Sequence, residues 1–425
     1  MLTQTNCITQ LLPDRALARA KELDEQMQQG QQPGLLHGLP LSVKSHIGLS
    51  NCHVPAGYIA HWEKLAPDDA LVVQILERAG AIAIARTTEP QTMMHLECSS
   101  NLYGETVNPY NTRTSSGGSS GGEGALIALR GSLLGVGSDV GGSIRVPAAA
   151  CGIYGLKPTA FRVPTTGWSS TPPGADPIPT VLGPMSSSLV GIELFMRAVL
   201  DAEPWKQEPA LIPLPWRDMS IKPGSRKPLR LGIMWHDEVV LPHPPITRAL
   251  REFADRVKKV PYFEVIDLPP YKHDEAWAIV SSLYCTDGGD ADLKIMAESG
   301  EPLLPLTKWM IKENDCVKRL TRPQLEYWLE EREEFRLEYA KYWNETRFKD
   351  GPVDAIISPI APGVATRPGT AKYWSYSAVW NLLDYPALAF PAGLVHRDID
   401  AVFDRPEFMS DLDEANWKLC RLLED

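Results

Sequence analysis

The strip from Thr114 to Pro158, TSSGGSSGGEGALIALRGSLLGVGSDVGGSIRVPAAACGIYGLKP, constrains the fold more than any other part of this chain. Glycine at such density marks backbone positions that need positive φ or close approach by another group. Flexible linkers are equally glycine-rich, but they do not interleave glycine with ALIALR and SLLGVG, which have to be buried. Glycine-rich turns packed tightly in a core are the plain reading of the strip, and several sharper readings compete with it. Phosphate-binding motifs fit it poorly. No lysine follows a glycine at P-loop spacing, and G-x-G-x-x-G fails because Ile127 and Val140 stand where glycine or alanine is required.

Nucleophilic catalysis fits better, and two serines compete. Gly117-Gly118-Ser119-Ser120-Gly121 satisfies G-x-S-x-G, the nucleophile elbow of α/β-hydrolases. The preceding TVNPYNTRTSS is a poor strand, however, and His236, His243, His273 and His396 stand in no distinctive context. Ser143 follows Gly141-Gly142, and paired glycines let successive N–H groups converge into a nest for an oxyanion. Serine needs a base. With no histidine nearby in sequence, Lys44 at the end of the β-prone run LHGLPLSVK is the candidate.

The flanking segments read as alternating helices and strands. Helical patterns cover Asp14–Gln29, Asp68–Arg78 and Thr321–Phe348, the last with Thr321 as N-cap and Pro323 in its first turn. Short apolar runs of strand type are AIAIAR (81–86), LRLGIM (229–234), FEVIDL (263–268) and VDAIISP (353–359). This alternation predicts an α/β fold with a largely parallel or mixed sheet. The proline-rich stretches 163–187 and 203–228 read as surface connections or as a boundary between two halves. The stripe Leu325, Trp328, Leu329, Phe335, Tyr339 and Trp343 is expected to pack on the sheet.

Composition narrows the partners. A formal charge of −11 with no long Lys/Arg stripe argues against nucleic acid. No run approaches the ~20 apolar residues of a membrane span, and the N-terminus lacks the pattern of a secretory signal. Seven scattered cysteines without a C-x-x-C pair suit free thiols in a reducing compartment, so the expected location is cytoplasmic. No histidine spacing suggests a metal site.

HGLPLSVK, then GGSSGGEGAL, then GSDVGGSIRVPAAACGIYGLKP resemble the amidase signature family. PQTMMHLECSSNLYGETVNPY, PYKHDEAW and YWSYSAVWNLLDYPALAFP look closest to its fungal acetamidase and fatty-acid-amide-hydrolase branch. Ser119 follows Lys44 by 75 residues and Ser143 follows Ser119 by 24, in agreement with the family. The resemblance implies one amidase signature domain over 1–425, with a mixed central β-sheet covered by helices on both faces. Its catalytic core would span about 36–200, residues 229–395 would complete sheet and pocket, and 396–425 would form an atypical tail.

The resemblance also implies the chemistry. Ser143 would be acylated by a carboxamide, Ser119 would relay its proton, and Lys44 would be the base. Backbone N–H groups of Val140, Gly141, Gly142 and Ser143 would hold the oxyanion. Met93, which stands 26 residues before Ser119, would present its backbone to the substrate side. Asp139 and Arg145 would support the nest as a structural pair, and the Gly118–Ser119 peptide would be cis. No metal or organic cofactor is implied; the partner is a small-molecule amide. Dimers are common in the family, which leaves monomer and homodimer both open. Trp168, Trp374 and Trp380 are candidates for an apolar pocket lining. Neighbouring readings are a tailoring amidase of a specialised metabolite and a degenerate relative that only binds amides.

Three departures from the family stand out. Ser45 occupies a position often acidic, Ser115-Ser116 replaces a frequent Ser-Pro, and no PVGLQLVG-like strand follows YPALAFP. Three expectations stand side by side: a sheet trimmed at both ends, a truncated gene model, or a decayed relative. Lys44 would be neutral at pH 7 only with a depression of roughly 3 pKa units, which burial in its acid-free surroundings LPLSVKSHIGLS could supply.

Overall fold

Strand β2 (Pro40–Lys44) shows how the chain builds its site. The computed structural model describes residues 2–169, 177–219, 228–346, 351–396, 398–400 and 404–421. Chain order runs from β1 (Ile8–Leu11) through β2, β3 (Ile82–Thr87), β4 (Ser99–Ser100), β5 (Gly104–Glu105), β6 (Leu134–Asp139), β7 (Tyr154–Lys157) and β8 (Val181–Ser186). It continues with β9 (Leu229–Ile233), β10 (Phe263–Asp267), β11 (Ala355–Ile357) and β12 (Ala387–Ala389). The main sheet has the order β1-β3-β2-β6-β8-β7-β12, and β2 lies between β3 and β6, parallel to both.

Side chains alternate across a strand, so β2 sends Leu41 and Val43 to one face and Ser42 and Lys44 to the other. Leu41 and Val43 join a core with the apolar side of helix Leu71–Arg78 and with Phe195 and Val199 of helix Leu189–Asp201. Ser42 meets the buried Glu123 of helix Gly121–Ala128, which covers the opposite face. The mixed sheet thus carries helices on both faces, as expected for this α/β fold.

Most elements fall where the periodicity places them, within a few residues: the expected helix Asp14–Gln29 is Pro13–Gln28, and Asp68–Arg78 is Leu71–Arg78. Asp69, ahead of that helix, instead pairs with Arg15 at 2.6 Å. Helix Arg322–Glu345 starts at a capping box of Thr321 and Gln324; Phe348 lies outside the described residues.

Two expectations need correction. The proline-rich stretch 163–187 is not wholly a connection, because Val181–Ser186 is a fully buried strand inside the main sheet. It keeps a six-residue antiparallel ladder to β6 despite Pro184, while its pairing with β7 stops at Met185. A residue without an N–H cannot serve both neighbours. Parts of both proline-rich stretches, 170–176 and 220–227, lie outside the described residues. The aromatic stripe of Arg322–Glu345 packs not on the sheet but against helices His273–Tyr284 and Ser375–Leu382, with Tyr339 edge-on to Trp380 and Tyr385.

The strands of 229–357 form a separate parallel sheet, β10-β9-β11. The β11 and β12 edges both line a cavity of about 820 Å³ walled by Leu250, Phe253, Trp343, Trp380 and Leu388. The tail contains helix Asp411–Arg421, with Trp417 buried and Asp413 held by Arg405 at 2.6 Å. Six cysteines are buried and Cys316 is half-buried, with no disulfide among the described residues.

Candidate active site

Lys44, Ser119 and the 139–143 turn converge at the C-terminal ends of β2 and β6. Parallel register sets Val43 beside Val136, which brings Lys44 alongside the end of β6. Its Nζ lies 2.6 Å from Ser119 Oγ and 2.9 Å from Ser138 Oγ. The lysine is completely buried. Burial pushes its amine down to about 8, against upward pulls from Glu89, Cys98, Asp139 and Glu123. Among the described residues no carboxylate bonds Lys44 directly: Glu123 is held by Ser42 and Thr87, and Glu89 by His46. Ser119 also precedes helix Gly121–Ala128, whose positive end disfavours an ammonium beside it.

Ser45 leaves this arrangement alone. Its hydroxyl donates to the Thr87 carbonyl at 2.7 Å and lies 2.8 Å from Thr9 Oγ1, so the change from an acidic residue puts no new group on Lys44. Ser115 and Ser116 tie down the loop where relatives often have proline: Ser115 Oγ accepts the Gly117 N–H at 3.0 Å, and Ser116 Oγ donates to the Thr106 carbonyl at 3.1 Å. The next peptide, Gly118–Ser119, is cis. Only glycine fits at 118, where a Cβ would lie 2.0 Å from the Glu97 carbonyl oxygen.

Ser143 sits in the turn after β6, 3% exposed. Its segment is joined to that of Ser119 by the Ser120 N–H, which donates to the Ser143 carbonyl at 3.0 Å. The two hydroxyls of Ser119 and Ser143 share no hydrogen bond among the described residues. Asp139 organises the turn. Its carboxylate accepts the Gly142 N–H at 2.9 Å, the Ile144 N–H at 3.1 Å and a two-point contact from Arg145 at 2.9 Å. Asn381 adds a further donor at 3.0 Å. Burial alone would raise the carboxyl, but Arg145, Lys157 and Asn381 hold it well below the usual range. Gly142 takes φ +132°, a conformation other residues rarely adopt.

This geometry corrects one expectation. The Gly142 amide is engaged by Asp139 and is not free to meet an oxyanion. The amides of Val140, Gly141 and Ser143 have no acceptor among the described residues. Met93 lies in a tight turn after Thr92, both with left-handed φ (59° and 62°), and its side chain packs near Tyr58 and Met296. Gln91 pins that turn, accepting from Leu304 N–H at 2.9 Å and Thr307 Oγ1 at 2.7 Å. Trp374 roofs the nest, 3.1 Å from where a Cβ on Gly141 would stand. The other two tryptophans do not roof the nest: Trp168 packs beside His46, and Trp380 lines the 820 Å³ cavity.

Sequence reasoning missed Ser138, Tyr284, Ser377 and Asn381. Ser138 was within reach, since parallel pairing of PLSVK with LGVGSD sets Val43 against Val136 and leaves Ser138 one residue past the position facing Lys44. The other three come from helices with no local motif. Among the described residues no group of His, Cys, Asp and Glu could hold a metal ion, and no helix is long and apolar enough to cross a membrane.

The model of the amidase family matches residues 2–403. The chain belongs to the amidase family. It is therefore an amidase, a hydrolase acting on amides. It is 41% identical over 421 residues to a putative amidase of Schizosaccharomyces pombe, covering 97% of this chain and 76% of that one. An acetamidase of Emericella nidulans is 37% identical, over 96% of this chain and 75% of its own. Among solved structures, a fatty acid amide hydrolase superposes with a TM-score of 0.89 at 33% identity, covering 98% of this amidase and 73% of that chain.

Proposed function

We propose that this amidase works through a serine acyl-enzyme in which Lys44 is the base, Ser119 the relay and Ser143 the nucleophile. The observation that carries the reading is the buried Lys44 amine, lowered to about 8 and 2.6 Å from Ser119 Oγ. A neutral amine can accept the Ser119 proton while Ser119 accepts that of Ser143. Ser143 Oγ then bonds to the amide carbon, and the carbonyl oxygen becomes an oxyanion facing the free amides of Val140, Gly141 and Ser143. On collapse the C–N bond breaks, and the leaving nitrogen takes back the proton held by Lys44 through Ser119. Water, deprotonated by the same relay, cleaves the ester and releases the acid. The Met93 backbone would border the substrate side.

The substrate class we infer is a short, uncharged carboxamide. Relatives named acetamidase support it, as do the aromatic roof of Trp374 and the pairing of Asp139 with Arg145, which leaves neither charge facing the nest unpartnered. The test is intact-mass labelling by a fluorophosphonate together with ammonia release from acetamide. One adduct on the wild type, lost in Ser143→Ala and much slowed in Lys44→Ala, is the expected result. An adduct that survives Ser143→Ala moves the nucleophile elsewhere. A protein that melts cooperatively, takes no label and releases no ammonia is an amide binder rather than a catalyst.

A further inference from the structure

Every carbonyl of the 140–143 turn is held by a donor. Gly142 accepts the Val146 N–H at 2.7 Å and Ser143 accepts the Ser120 N–H at 3.0 Å. The other two are held by hydroxyls from distant helices. Ser377 donates to the Gly141 carbonyl at 2.5 Å, and Tyr284, the last residue of helix His273–Tyr284, donates to the Val140 carbonyl at 2.9 Å.

In a trans peptide the C=O and N–H of one unit point in opposite directions. The unit clamped by Ser377 runs from the Gly141 carbonyl to the Gly142 N–H, which is spent on Asp139. The unit clamped by Tyr284 ends differently. Its N–H belongs to Gly141, which has no acceptor among the described residues, two positions before Ser143. With its carbonyl turned to Tyr284, that N–H faces away from the phenol. A donor on the carbonyl also polarises the whole peptide, which strengthens the N–H at its other end. The phenol lies close over Gly141: its oxygen stands 2.5 Å from where a Cβ would be, so only glycine leaves room for it there, and Trp374 packs on the ring with centroids 5.9 Å apart. Burial keeps the phenol far above its ordinary pKa, so it remains a donor at any working pH.

We propose that Tyr284 is a positioning residue for amide hydrolysis: through the Val140 carbonyl, its hydroxyl orients and polarises the Gly141 N–H that receives the oxyanion. This inference rests on the acyl-enzyme reading above.

The test compares Tyr284→Phe with Ser377→Ala, which deletes a similar hydroxyl from the neighbouring unit whose N–H is already engaged. For Tyr284→Phe, kcat on acetamide should fall about 10- to 100-fold, less than the loss typical of deleting an oxyanion donor itself, with KM changed less than about twofold. Affinity for an aliphatic trifluoromethyl ketone, which becomes an oxyanion on binding Ser143, should fall in step with kcat. Affinity for an alcohol of the same chain length should not move, and Ser377→Ala should lose less on the ketone. Unchanged kcat in Tyr284→Phe, or equal losses in ketone affinity, alcohol affinity and Tm, overturns the inference. If the wild type itself neither hydrolyses amides nor takes the fluorophosphonate, the acyl-enzyme reading falls and takes this inference with it. When the wild type is active and labelled, the comparison bears on Tyr284 alone.

Discussion

Lys44 combines the mechanism and its energetic cost in one side chain. A neutral amine is the active form, so kcat/KM should rise about tenfold per pH unit below the Lys44 pKa and level off above about pH 8; a pH–rate profile on acetamide checks this. Stability follows the same titration. The unfolded chain holds the Lys44 proton up to its ordinary pKa near 10.5, whereas the folded protein releases it at about 8. Between those values the unfolded state binds more protons, and stability grows with pH. Below about 8 the burial penalty is felt in full. Lys44→Met should accordingly be inactive yet melt at or above the wild-type temperature at pH 7, with the advantage shrinking toward about pH 10; parallel melts across that range decide it. At this scale the sequence was readable where chemistry sits in a contiguous motif. Lys44, Ser119 and Ser143 are visible because glycine and serine cluster around them. Tyr284 and Ser377 are not, since a hydroxyl that reaches across 144 or 236 residues leaves no local mark.

The turn after β6 depends on Asp139, and Asp139 depends on Arg145. Both are buried, and their two-point contact is reinforced by Asn381. Arg145→Met would strand a carboxylate in the interior, which costs about 3–5 kcal/mol when one member of a buried pair is removed; a shift in the urea midpoint measures it. Arg145→Lys should recover little, because a single ammonium cannot match both oxygens at once. Elements of this kind were legible wherever periodicity is clean, as in Leu71–Arg78 or β2. Strand β8 was hidden by its own composition. Pro184 and the prolines ahead of it read as a connection, although the ladder to β6 alone suffices to place a strand there. Cross-strand partners, not local propensity, made the difference.

At the scale of the whole molecule, the three strands between residues 229 and 357 were recognised one by one, but periodicity cannot say which strands share a sheet. They form one of their own, and its β11 margin faces β12 across the 820 Å³ cavity. An apolar hollow of this size should bind a dye such as anilinonaphthalene sulfonate in the native state at neutral pH. Phe253→Ala, which removes part of the wall, should weaken the fluorescence without altering acetamide turnover. The cysteines offer a different use of the same architecture. A thiol reagent should meet one sulfur readily, that of Cys316, and find the other six only as their surroundings open. Those six are Cys7 beside β1, Cys52, then Cys98 and Cys151 near the catalytic loops, Cys285, and Cys420 in helix Asp411–Arg421. Alkylation followed by peptide mapping would turn them into time stamps, recording the order in which the molecule comes apart.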